Sequence, residues 1–118
     1  TPMAEGEKPG SALRLTPGQT ARLEGLIDEW NAGLEPLTSF VLPGGTETAA
    51  RLHLARTIVR RAERLVVALQ EAEPEAVHAE VVRYCNRLSD LLFVLARAAN
   101  DGGKGDVLWT PGSNRDDE

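Results

Sequence analysis

Aromatic residues make up only 4% of this 118-residue chain, and cysteine occurs once. The first scarcity leaves an aliphatic core and argues against a β-rich fold, because strands draw on aromatic and β-branched side chains. The second excludes an internal disulfide framework and suits a reducing compartment, so a cytoplasmic setting is expected. No apolar run is long enough to span a bilayer, and no secretory signal is visible, so no membrane partner is expected. No second His or Cys stands at ligand spacing from His53, which speaks against a protein-held metal. A Walker-type Gly-rich loop and internal repeats are missing too. The net charge of −5 argues against a general nucleic-acid binder. The chain opens on Thr1 without an initiator methionine, and its first residues read like the middle of a protein, so upstream sequence is expected.

What remains is helical. Hydrophobic content of 42% is ordinary for a globular protein. Residues 1–15 are Pro, Gly and charge without periodicity and read as a linker. Thr16, Pro17 and Gln19 form an N-cap, first-turn proline and capping-box position. Leu23, Leu26, Ile27, Trp30 and Leu34 follow at helical spacing, and Gly33 and Pro36 end that helix. A second helix is predicted from about Thr46 to Gln70, and a third from about Pro74 to Ala99. Asn100-Asp101-Gly102-Gly103 stops the third helix, and residues 105–109 form a short extended segment that can pack back. The expected fold is all-α: three long helices in an antiparallel bundle over 16–100, then a tail, 101–118. Their wide apolar faces anticipate further helices or other subunits.

The second helix carries the most pointed signal. At about 100° per residue, His53, Arg56, Arg60, Glu63 and Arg64 share one face. Leu52, Ala55, Ile58, Val59, Ala62, Leu65, Val66 and Leu69 form an apolar stripe roughly opposite. The expectation is a helix whose back fills a core and whose front presents a cationic ridge. Like charges one turn apart repel by a few tenths of a kcal/mol per pair. A phosphate-bearing anion offsets that cost, because the guanidinium fork donates paired hydrogen bonds and stays charged. Carboxylates of neighbouring helices, such as Asp90, are the competing partners. Asn86 on the third helix offers a donor and an acceptor to a purine edge or ribose. Phe40, Val41 and Leu42 are consecutive apolar residues in a connection. They either cap the bundle core or let a flat apolar ligand rest on Phe40. Cys85 reads as a small hydrophobe.

Four ordered blocks then carry a family likeness. They are Ser39–Gly45 (SFVLPGG), Leu52–Thr57 (LHLART), Arg60–Arg64 (RRAER) and Tyr84–Phe93 (YCNRLSDLLF), with Gly105–Trp109 (GDVLW) beyond them. Over roughly residues 16–112 the chain resembles the PduO-type ATP:corrinoid adenosyltransferases. The resemblance implies a five-helix, ferritin-like bundle that assembles as a homotrimer with sites between subunits. It implies transfer of the 5′-deoxyadenosyl group of ATP to the cobalt of cob(I)alamin, with triphosphate released and Mg2+ accompanying the ATP. By motif, Arg60, Arg61, Glu63, Arg64 and Asn86 would belong to the ATP site, with Arg56 and Arg60 as catalytic residues. Arg56 would join an ion pair across the subunit boundary, and Phe40 would lie at the corrinoid. The family's N-terminal Thr-Lys-Thr-Gly-Asp phosphate segment and first two helices are absent, so a fragment with little activity alone is expected. Cys85 stands where Leu is usual. Two other readings compete: a non-catalytic module that docks an acidic partner through the arginine ridge, and a nucleic-acid helix with steeply salt-dependent binding.

Overall fold

Pro17 fixes the backbone at the first turn of α1 (Pro17–Asn31), where a missing N–H costs nothing. The Thr16 N–H donates to Gln19 Oε1 at 2.9 Å, so the predicted capping residue does its work. The structure is a computed structural model, and it describes residue 6 and residues 14–111. The expected linker, 1–15, and the end of the tail therefore lie largely outside the described residues. After α1 come β1 (Val41–Leu42), α2 (Glu47–Ala72), α3 (Ala79–Ala99) and β2 (Val107–Leu108).

Thr46 caps α2 as its sequence promised, its Oγ1 accepting from the Ala49 N–H at 3.1 Å. Helix α3 begins later than expected. Residues 74–77 form a turn rather than a first helical turn, and His78 caps the helix by accepting from the Glu80 N–H at 3.1 Å. The helix ends where the sequence said. Asp101, Gly102 and Gly103 all take positive φ (58°, 64° and 95°), which reverses the chain.

The three helices do not close on one another. Helix α3 lies between α1 and α2, which do not pack together. Thr20 of α1 meets Glu80 at the start of α3, and Glu35, just past α1, meets Gly102 just past α3. Successive helices thus alternate in direction, while the packed pair α1 and α3 run parallel. The core is aliphatic and thin, with Leu23, Ala49, Leu91, Val94 and Ala96 buried among the described residues.

One short ribbon is added to the helical framework. Strands β1 and β2 form an antiparallel ribbon, Val41 opposite Leu108 and Leu42 opposite Val107. The tail does pack back, and its partner is the connection carrying Phe40. The ribbon is closed by the Trp109 N–H donating to the Phe40 carbonyl at 2.8 Å and by Ser39 Oγ donating to the Trp109 carbonyl at 2.6 Å.

Candidate functional site

Helix α2 does not divide into core and ridge as its sequence suggested. His53, expected on the ridge, is fully buried, while Ile58 and Leu65 of the apolar stripe are 60% and 62% exposed. Leu54 and Leu69 are exposed as well. The reason lies across the helix pair, where α3 presents Phe93. The His53 and Phe93 rings meet edge-on at 6.2 Å, and the Arg56 guanidinium sits over the Phe93 ring at 5.0 Å. A cation over an aromatic face is favourable, so α2 turns one flank of its polar stripe inward. The opposite apolar strip is left facing out. Neither His53 ring nitrogen has a hydrogen-bond partner among the described residues. Desolvation, and then the Arg56 charge, push its pKa down, with Asp106 opposing. Arg56 itself is pushed down by burial and by Arg60, while Asp90 works the other way.

Farther along the pair, Glu63 and Asn86 come together, with Asn86 Nδ2 donating to Glu63 Oε2 at 3.3 Å. Arg87 donates to Asn86 Oδ1 and pairs with Asp90 at 3.1 Å. A cleft of about 320 Å³ opens here, lined by Glu24, Glu63, Val82, Arg83, Asn86 and Arg87. Arg60, Arg61 and Arg64 are exposed on the same stretch of α2 and make no ion pair among the described residues. Asp90, the expected competitor for them, is taken by Arg87. Burial, and then Glu63, raise the Cys85 pKa. That keeps the thiol protonated and fits its reading as a small, unreactive side chain.

Phe40 stands apart from this group. It is 76% exposed, so it does not cap the core. Trp109 props it edge-on at 5.8 Å between ring centroids. Thr46 and Glu63 are 17 positions apart, so the cap of α2 and Glu63 are about 25 Å apart along the helix at ~1.5 Å per residue. Sequence reasoning missed the grouping of Arg97, Asn100 and Asp106 behind the ribbon. Nothing local says that residue 106 returns to Arg97 on α3.

The family model of cobalamin adenosyltransferases matches residues 1–99. The chain belongs to the cobalamin adenosyltransferase family. The corrinoid adenosyltransferase of Mycobacterium tuberculosis is 53% identical over 115 residues, covering 98% of this chain and 58% of that protein. That of Bacillus subtilis is 50% identical over 97 residues, 81% of this chain and 49% of that protein. A solved variant of a PduO-type ATP:corrinoid adenosyltransferase from Lactobacillus reuteri, complexed with cobalamin and ATP, superposes with a TM-score of 0.77 at 38% identity. It covers 94% of this chain, and this chain covers 58% of it. This adenosyltransferase-family chain thus spans about half the length of these relatives.

Proposed function

We propose that this chain supplies part of an ATP:corrinoid adenosyltransferase, which moves the 5′-deoxyadenosyl group of ATP onto the cobalt of cob(I)alamin. The observation that carries this reading is the state of the arginines. Arg60, Arg61 and Arg64 are exposed without carboxylate partners among the described residues, on the stretch of α2 that carries Glu63 of the Glu63–Asn86 pair, in a family of this activity. In the reaction, an electron pair of cobalt(I) forms the bond to C5′. The C5′–O bond breaks, and its pair leaves with triphosphate. Charge builds on the leaving group, and preorganised guanidinium groups stabilise it there. Cobalt(I) is already a strong nucleophile, so the protein contributes positioning and electrostatics rather than an acid or base.

Asn86 and Glu63 are suited to the nucleoside, since together they offer donors and acceptors to a ribose or purine edge. Mg2+ is commonly held by one or two carboxylates plus substrate phosphates. No group of three or more His, Cys, Asp or Glu gathers among the described residues. Glu24 and Glu63 both line the cleft, however, and fit the lesser role. The ion would neutralise phosphate charge there. Phe40 offers an apolar face to the corrinoid, excluding water and disfavouring a lower axial ligand.

The sites are read as shared between subunits of a homotrimer, with Arg56 pairing across the boundary; Phe40 is absent from the cleft's lining. The outward strip of Leu54, Ile58, Leu65 and Leu69 is the kind of apolar surface that marks an interface. Adenosylation of chemically reduced corrinoid by the longest natural form of the protein tests the reading, alongside a Tm measured with and without Mg-ATP. Absence of both transfer and thermal protection would leave the docking-module alternative in its place.

A further inference from the structure

We propose that Arg97, Asn100 and Asp106 form a positioning clamp that sets where Phe40 stands relative to the start of α2, and so relative to the arginine-bearing helix. This rests on the corrinoid reading of Phe40 given above. Arg97 and Asn100 are 4% and 2% exposed, and the Asp106 side chain is 1% exposed. Arg97 Nε donates to Asp106 Oδ2 at 2.7 Å, and its outer nitrogen donates to the Glu35 carbonyl at 2.6 Å. Asn100 Nδ2 donates to the Gly44 carbonyl at 2.9 Å and reaches Asp106 Oδ1 at 3.5 Å. Asn100 Oδ1 accepts from the Thr46 N–H at 2.9 Å. Thr46 Oγ1 donates to the Ala99 carbonyl at 3.2 Å.

Three segments therefore meet at one buried knot: the chain leading into Phe40, the cap of α2, and the tail that becomes β2. The fit leaves no room for side chains. Gly45 has φ +105°, and a Cβ there would collide with the Asn100 amide; one on Gly103 would collide with the Arg97 guanidinium. Among the described residues, the ribbon and the edge of Trp109 hold Phe40, and its ring is 76% exposed. The knot is what ties that ribbon to α3, so it governs how well the aromatic tip is aimed. Aim matters because catalysis by positioning falls off steeply with small displacements.

Asp106→Asn removes the charge with little change of shape and tests the clamp in the longest natural form of the protein. The expected result is an increase on the order of tenfold in amide exchange at Val107, Leu108 and Trp109. The corrinoid KM should rise on the order of tenfold, while the ATP KM stays within about twofold. In a Phe40→Ala background the same substitution should add no further corrinoid defect, because its effect acts through Phe40. Additive losses, or unchanged exchange, would overturn the proposal. Arg97→Lys keeps the charge but loses the fork, and it carries the same measurements if Asp106→Asn does not fold. Collapse of both variants would make the cluster a stability element only and would also overturn it. Failure of the unsubstituted protein to transfer adenosyl would remove the transferase reading alone, since exchange still judges the clamp without substrate.

Discussion

The two ends of α2 use arginine in opposite ways. At the N-terminal end, Arg97 reaches in from α3, is buried, and is held by Asp106 and a backbone carbonyl. Farther along, Arg60, Arg61 and Arg64 lie in solvent with no ion pair among the described residues. The same side chain is a structural rivet in one place and an open anion receptor in the other. Burial decides which, because a buried charge must be paired while an exposed one is free to wait for a ligand. Arg56 falls between them, half-buried over Phe93, and it joins the two regions physically.

Truncation should separate the two uses most sharply. Arg97→Ala leaves the Asp106 carboxylate buried without its cation, so unfolding in urea should show a loss of about 3–5 kcal/mol. Arg64→Ala should cost less than about 0.5 kcal/mol, because an exposed side chain without partners contributes little to folding. Equal stability losses at the two positions would erase the distinction. Activity should reverse the order for the ridge. Arg60→Ala is expected to lower kcat by about 10²–10³-fold with the fold intact, the range for removing a donor to a developing anion. Steady-state adenosylation checks this, with circular dichroism to confirm the fold.

A milder contrast concerns the outward apolar strip. Leu65→Glu should leave helicity unchanged, since Leu65 is already exposed and surface changes seldom move stability by more than about 0.5 kcal/mol. If the strip is a subunit contact, the same substitution should lower the assembly mass measured by light scattering. A mass unchanged by Leu65→Glu would separate the strip from any interface.

Much of the framework could be read before the structure because local chemistry wrote it. Thr16 with Gln19, Thr46, and the Asp101–Gly103 reversal each act within a few residues, and each stands where expected. What could not be read depended on the far side of a contact. Counting apolar residues on α2 put Leu65 and Ile58 inside and His53 outside, because the count knows nothing of Phe93 on α3. Phe40 could equally have been a core plug, since exposure is a property of the assembled ribbon. Arg97 and Asp106 are nine residues apart, and only three successive positive φ angles bring them together. Glu63 and Asn86 meet across the α2–α3 pair, a contact between separate helices that no local pattern announces.

The smallest expected effects are in the pH dependence of stability, and they again divide the molecule. His53 is buried without a hydrogen-bond partner among the described residues, and its folded pKa lies below the ordinary value near 6.5. Below that value the unfolded chain binds a proton that the folded chain refuses. His53 stability is therefore complete above about pH 6.5 and drains away as pH falls toward the folded pKa. Glu80 behaves alike for a different reason. The Thr20 hydroxyl beside it, and then Arg83, outweigh desolvation and hold its carboxyl below the ordinary value near 4.5. Its contribution is present above that value and is lost as pH falls through the folded pKa. Acid should thus loosen the α2–α3 seam at His53 first and the α1–α3 junction at Glu80 later. His53→Phe should flatten the urea midpoint between pH 7.5 and 5.5 without destabilising the neutral protein, because replacing an unsatisfied buried polar group by an apolar one is close to neutral or favourable. Glu80→Gln should leave that window untouched and flatten the later decline. A single acid transition removed by either substitution would mean that the two junctions do not act independently.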